Sequence, residues 1–263
     1  AARTVQDNLA AIRSGGVTQR TGLRAVNVTG LTPGQRLVAE AVAAGLPVVV
    51  EGPAGTGKTT ALRRALAARN AAGLTTIAVA PSRVAVTQLG DDWTTATTAH
   101  GLLVAAGWSQ DGGLWTAPAD SDDPGLRDAV IVVDEAGMLD LHTLAALTTH
   151  ARTNGARVIL VGDDRQLAPV GVAGGFALAK AGSDIVALTE AKRFTDPAHA
   201  ALANRWRTGT DLDVIAGEVL AAGLVRVHAT EEDAQVALAE TAAANRNAVV
   251  MVAANATAAT VNR

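Results

Sequence analysis

Short apolar runs rich in β-branched residues recur along the chain, and stretches of helical spacing lie between them. Residues 47–51, 75–80, 129–133, 158–162 and 185–188 predict strands, and 57–71, 82–90, 138–153 and 172–181 predict helices. Runs that are apolar throughout, rather than alternating, suit strands buried on both faces. The pattern therefore predicts an α/β fold in three layers, a parallel sheet with helices on either side. Ahead of the first strand, Thr32-Pro33-Gly34-Gln35 marks a helix start. Thr32 suits the N-cap, Pro33 the first turn, and Gln35 the third position of a capping box. Residues 4–14 are helical in pattern and 15–31 read as a Gly- and Thr-rich linker, so 1–30 form a helical and extended lead-in to a main domain at 31–194. Within that domain, about 103–127 is polar and Gly-rich and predicts a small surface insertion. Past residue 194 the rhythm restarts, with helix over 196–222, strand at 224–228, helix at 231–245 and strand at 248–253. Residues 195–263 thus read as connecting helices and the start of a second sheet.

The turn after the first strand is Gly52-Pro53-Ala54-Gly55-Thr56-Gly57-Lys58-Thr59, followed by Thr60, and it fits G-x-x-x-x-G-K-[ST] at every position. Its place between a strand and a helix is the context the motif requires. Glycines let successive backbone N–H groups curl toward phosphate oxygens, and the helix N-terminus adds partial positive charge. Lys58 suits the β- and γ-phosphates, and the Thr59 hydroxyl suits Mg²⁺. ATP and Mg²⁺ are the ligands this motif predicts.

A buried strand ends in Asp134-Glu135. Asp134 is placed to hold Mg²⁺ opposite Thr59, and Glu135 to orient or deprotonate an attacking water.

With these two motifs in view, the chain resembles superfamily 1B DNA helicases of the RecD-like branch. Asp134-Glu135-Ala136-Gly137-Met138 is similar to their second motif, and Gly162-Asp163-Asp164-Arg165-Gln166-Leu167-Ala168-Pro169-Val170 to their third. Leu31-Thr32-Pro33-Gly34-Gln35 resembles their adenine-reading motif. Ala80-Pro81-Ser82-Arg83 and Thr98-Ala99-His100 resemble DNA-side motifs, and Leu188-Thr189-Glu190-Ala191-Lys192-Arg193-Phe194 the fourth motif. The likeness is strongest to the helicase part of TraA/TrwC-type (MobF) conjugative relaxases, at 52–60 and 161–176, and also at 193–209 and 253–263.

The resemblance implies a RecA-like P-loop NTPase domain, the start of a second RecA-like domain, and an ATP-driven motor moving 5′ to 3′ on single-stranded DNA. It implies that Gln35 reads the adenine edge, Gln166 senses the γ-phosphate, and Arg193 offsets charge on the transferring phosphoryl group. It places Ser82, Arg83, Thr98, His100, Pro169 and Val170 on the DNA side. His100 reads equally as a core histidine, and Arg83 as a surface charge. Its implied partners are single-stranded DNA, a relaxase domain and a second motor domain. The later helicase motifs are not found, so this chain is expected to bind nucleotide well and hydrolyse it poorly alone.

Composition sharpens this picture in a few places. There are no cysteines, which excludes disulfides and cysteine-based metal sites. A net charge of −3 excludes gripping nucleic acid through bulk charge, though not through a local groove. No apolar run predicts a membrane span or a signal peptide, so the expected compartment is the bacterial cytoplasm. The chain opens on Ala1-Ala2-Arg3 without an initiator methionine, which leads us to expect a piece of a longer protein. Of four tryptophans, Trp93 and Trp206 read as packing residues, while Trp108 and Trp115 lie in the polar insertion. Two rival readings are a P-loop ATPase switch that never touches DNA and a non-catalytic helicase-fold binding module.

Overall fold

The structure, a computed structural model, describes residues 1–14, 25–90, 93–163, 165–166, 168–189, 196–209 and 211–245. Two compact units divide the chain, residues 1–200 and 201–263.

The first unit is built on six parallel strands: β1 (Val48–Glu51), β2 (Thr76–Ala80), β3 (Thr95–Thr98), β6 (Val130–Val133), β7 (Arg157–Gly162) and β8 (Asp184–Ala187), in the spatial order β3-β2-β6-β7-β1-β8. The central strands β2 and β6 are buried at every position, as their unbroken apolar runs predict. Successive side chains point to opposite faces. Val49, Ile77, Val79, Ile131, Val133, Val158 and Leu160 therefore build one core layer. Val48, Val50, Ala78, Ala80, Val130, Val132, Ile159 and Val161 build the other.

Over the first layer lie α1 (Ala2–Ser14), α6 (Leu141–Thr153) and α7 (Gly175–Ala181), through Val5, Leu9, Leu144, Leu147 and Phe176. The sequence reads α1 as a lead-in. In the structure it is a member of this covering layer, and buried Asn8 donates through Nδ2 to Thr149 Oγ1 at 2.8 Å on α6.

Helices α2 (Pro33–Ala44) and α3 (Lys58–Ala71) cover the second layer through Val38, Val42, Leu62 and Leu66, joined by Leu89 of α4 (Arg83–Leu89). The predicted capping box is present: Thr32 accepts from Gln35 N, and the Gln35 side chain accepts from Thr32 N. Gly45 ends α2 in the left-handed conformation at φ 68°.

Arg69 ties this layer together. It is 2% exposed. Its Nε donates to Thr76 Oγ1 at 2.7 Å, Nη1 to Ala43 O at 3.1 Å and Nη2 to Thr75 O at 3.0 Å. The side chain thus joins the ends of α2 and α3 to the start of β2. Arg69→Met keeps the apolar stem but strips two buried acceptors and one part-buried acceptor of a charged donor. It should lower unfolding free energy by about 3 kcal/mol. Urea denaturation checks this, and a loss under about 1 kcal/mol, the range of a surface substitution, would contradict it.

Some elements differ from expectation. β3 and the short helix after it, α5 (Ala99–Ala105), are not predicted as elements by the sequence pattern. β3 is a Thr-rich edge strand with no apolar stripe to announce it. The insertion is a hairpin, β4 (Ser109–Asp111) with β5 (Leu114–Thr116), in antiparallel register. Both of its tryptophans pack inward: Trp108 is buried with Leu103 and Ala146, and Trp115 lies against that cluster. Trp93 is buried as expected, but Trp206 is 56% exposed, which corrects its reading as a packing residue.

The boundary between the units falls within α8 (Pro197–Thr208). The second unit continues with α9 (Leu212–Ala221) and α10 (Glu231–Ala244). The strand expected at 224–228 is irregular chain, and Leu224, Val225 and Val227 are exposed. The strand expected at 248–253 lies outside the described residues. Among the described residues no helix is long and apolar enough to cross a membrane.

Candidate active site

The phosphate-loop sequence leaves β1 at the carboxyl edge of the sheet, where ligands of such sheets bind. Gly52 N donates to Gly162 O at 3.0 Å, continuing the β1–β7 ladder by one residue. The chain then curls, with Thr56 Oγ1 donating to Pro53 O at 2.8 Å. Gly57 takes a left-handed φ of 80° and has no room for a side chain, because a Cβ there would stand 2.1 Å from Gln35 Nε2. α3 opens immediately after it with no side-chain cap. Its first N–H groups have no intrahelical partner, which makes this end an anion cradle.

Lys58 is 7% exposed. Its Nζ donates to Gly52 O at 2.8 Å and to Pro53 O at 3.4 Å, so the ammonium rests on the rim of its own loop. Gln35 is buried and spans two elements. Its Oε1 accepts from Thr32 N at 3.1 Å and its Nε2 donates to Thr56 O at 2.9 Å. In this arrangement one end of the amide caps α2 and the other braces the phosphate loop.

Next to β1 in the sheet are β7 and then β6. Asp134 N donates to Val79 O at 2.8 Å, and Asp134 Oδ1 accepts from Glu135 N at 3.0 Å. Glu135 adopts φ 50°, ψ 40°, a left-handed conformation uncommon for a residue with a side chain. Burial pushes the Asp134 carboxyl above the usual range, against the Glu135 N–H and the Lys58 ammonium, which pull it down. Glu135 is raised by the same cause first; Lys58 opposes it, and the Asp134 and Asp163 carboxylates add to it. Asp163, at the end of β7, is buried and accepts from Arg165 N at 3.1 Å.

Buried acids held above their ordinary range fit a divalent cation, whose charge would favour the ionised forms. Among the described residues no group of three or more acids and histidines forms a metal cage by itself. Thr59 with Asp134 and phosphate oxygens suits Mg²⁺, which binds few protein ligands.

The remaining expected residues that the structure describes share this edge of the sheet. Ser82, past the end of β2, is exposed and caps α4 by accepting from Ala85 N at 3.2 Å, with Arg83 exposed beside it. Thr98, the last residue of β3, caps α5 by accepting from Gly101 N at 2.9 Å. His100 is exposed, which settles it as no core histidine, and meets the Trp115 ring edge-on at 5.1 Å. On the loop after β7, Gln166 and Pro169 are half-buried and Val170 is fully exposed at 109%. Arg193 lies outside the described residues.

Two features of the site were missed by sequence reasoning. Glu51, just before the loop, pairs with Lys180 of α7 at 2.6 Å. Asp140 caps α6 by accepting from His142 N and Thr143 N, both at 3.0 Å. An Asp before the apolar run starting at Leu141 is an N-cap signal, and it was legible.

The model of the family described as AAA domain matches residues 30–230. No curated protein matches the chain. Among solved structures, the chain is similar to the Pif1 helicase of Candida albicans at a TM-score of 0.57 and 22% identity, covering 84% of this chain and 56% of that one. It also matches the arterivirus nonstructural protein 10 helicase, solved with DNA, at a TM-score of 0.38 and 18% identity, covering 63% and 41%. The chain thus spans little more than half the length of the first of these structures. The first likeness bears out the RecA-like P-loop fold.

Proposed function

Since the chain belongs to the AAA domain family and carries a helicase-type P-loop fold, we propose that it is the first motor domain of an ATP-driven translocase on single-stranded DNA. The observation that carries this reading is the shared edge: the phosphate loop, the acid turn and the six DNA-side residues all sit at the carboxyl ends of the parallel strands.

In this reading ATP enters with its phosphates over the loop at 52–60. Lys58 exchanges the carbonyls of Gly52 and Pro53 for β- and γ-phosphate oxygens. Thr59 and Asp134 would hold Mg²⁺, which supplies charge neutralisation between the β- and γ-phosphates. Glu135, its carboxyl raised by burial, orients the attacking water and accepts its proton. Gln166 reports the γ-phosphate to the loop carrying Pro169 and Val170. Gln35 reads the adenine edge, and its hold on Thr56 O makes that reading a constraint on the loop. Arg193 offsets phosphoryl charge. Ser82, Arg83, Thr98 and His100 contact the DNA backbone, which carries no sequence information.

The finer assignment, a bacterial cytoplasmic motor belonging to a conjugative relaxase and moving 5′ to 3′, is supported by the resemblance over 52–60 and 161–176. Its partners are then a relaxase domain and a second motor domain.

The test is fluorescence anisotropy of a labelled single-stranded oligonucleotide, titrated with the chain plus Mg²⁺ and a non-hydrolysable ATP analogue. Saturable binding that weakens with salt and ignores sequence is expected. Bound nucleotide with no DNA binding at low salt would leave a P-loop switch instead.

A further inference from the structure

Two segments leave the candidate active site, and both arrive at Asp140. One is the acid turn, running from Glu135 through the short 3₁₀ turn Ala136–Met138. The other is the loop after β7, running from Asp163 past Gln166 to Gly171 and Val172. Twice they touch through glycines. A Cβ on Gly137 would stand 2.9 Å from Asp163 O, and one on Gly171 would stand 2.8 Å from Asp140 Cβ. Leu141 N also donates to Val172 O at 2.8 Å. Contacts this close leave no slack. A displacement of either segment has to move the start of α6 or break its seat, because packed interiors do not deform continuously.

Asp140 uses both carboxylate oxygens there. Oδ1 accepts from the N–H groups of His142 and Thr143, and Oδ2 accepts from the Thr143 hydroxyl. That last bond fixes the hydroxyl's polarity. With its proton given to Asp140, Thr143 Oγ1 has lone pairs left to accept, and Trp115 Nε1 donates to it at 3.0 Å. Thr143 is fully buried, so no water competes for this place. Trp115 belongs to the hairpin and meets exposed His100 edge-on. A line of contacts thus runs from the acid turn, Asp163, Gly171 and Val172, through Asp140 and Thr143, to the Trp115–His100 surface.

We propose that Asp140 and Thr143 are positioning residues that couple nucleotide occupancy of the phosphate loop to the hairpin face carrying Trp115 and His100. The inference rests on the nucleotide reading above. Thr143 meets the hairpin through the Trp115 indole, and Asp140 stands behind it at the start of α6. The coupling acts through the hydroxyl's two bonds, one donated and one accepted. Removing the accepted bond frees the Trp115 indole from the start of α6, and removing the donated one releases the hydroxyl polarity that favours it.

The experiment is amide hydrogen exchange read by mass spectrometry on the full chain, with and without ATPγS and Mg²⁺. In the wild type, nucleotide should slow exchange at 52–60 and also at 109–116, the latter by about fivefold or more, the lower end of ordinary coupling. Thr143→Val, which keeps the side chain's shape, should retain the slowing at 52–60 and lose it at 109–116. Asp140→Asn keeps an oxygen for the helix cap and should behave the same way. Thr143→Ser restores the hydroxyl and should restore the hairpin response. A purely structural role would loosen the hairpin equally with and without nucleotide, and so would not produce this selective loss. Protection at 52–60 without any at 109–116 in the wild type would overturn the coupling alone, as would a Thr143→Val chain that keeps it. No protection at 52–60 would remove the nucleotide reading and the coupling together.

Discussion

Lys58→Ala should weaken MgATP binding by about a hundredfold, the cost of about 2.7 kcal/mol that goes with truncating one member of a buried, charge-assisted contact. Lys58 is almost fully buried, and its ammonium hangs on Gly52 O and Pro53 O. A charge held on weak neutral acceptors, beside the uncapped N-terminus of α3, is stored for an anion. The same ammonium lowers the pKa values of Asp134 and Glu135. Its loss therefore moves both carboxyls further upward, so the binding defect should deepen as pH falls and more of the acid is protonated. Isothermal titration with a non-hydrolysable analogue at two pH values checks both statements. An affinity equal to that of the wild type would remove Lys58 from the phosphate site.

Glu135→Gln should leave that affinity within about threefold and cut single-turnover hydrolysis by about a hundredfold or more, the ordinary contribution of a positioned general base. The amide has nearly the shape of the carboxylate but cannot take a proton. Burial holds the Glu135 carboxyl above its usual range, with Asp134 and Asp163 adding to the effect and Lys58 opposing it. A raised pKa brings a base closer to its working pH. The wild-type rate should accordingly rise with pH through a limb lying above the usual carboxylate range, and the variant should lack that limb. A variant that hydrolyses ATP at more than about a tenth of the wild-type rate would show that the base lies elsewhere.

The raised acids also bear on stability. Folded-state pKa values above the unfolded ones mean that the native chain binds more protons than the unfolded chain across that window. Stability then falls as pH rises through it, and a divalent cation bound beside Asp134 would offset the loss.

How much of this was visible beforehand depends on what each segment buries. β1, β2, β6, β7 and β8 were legible, four of them because a strand enclosed by helices must be apolar along its length. The cap at Thr32 and Gln35 was legible because capping chemistry is local. β3 was not, because Thr95-Ala96-Thr97-Thr98 is an edge strand defined by its backbone ladder to β2 rather than by apolar side chains. The apolar run at 224–228 misled for the converse reason. Val225-Arg226-Val227 alternates like a strand but is irregular chain here, and strand preference depends on the surface it packs against. The phosphate loop and the acid turn were readable because each lies on consecutive residues. The seating of Trp115 on Thr143, and of Gly171 on Asp140, joins residues far apart in sequence, and no local pattern announces such contacts.

The strand order has a consequence for how the site comes into being. β1 carries the phosphate loop, yet Val49 pairs with Leu160 on one side and Ile185 on the other. Both partners are made long after β1 has left the ribosome. Such distant pairings are slow to close and leave unpaired edges exposed meanwhile. The nascent chain therefore carries the loop's sequence well before it carries a nucleotide cradle. ATP added during synthesis should rescue no intermediate shorter than β7.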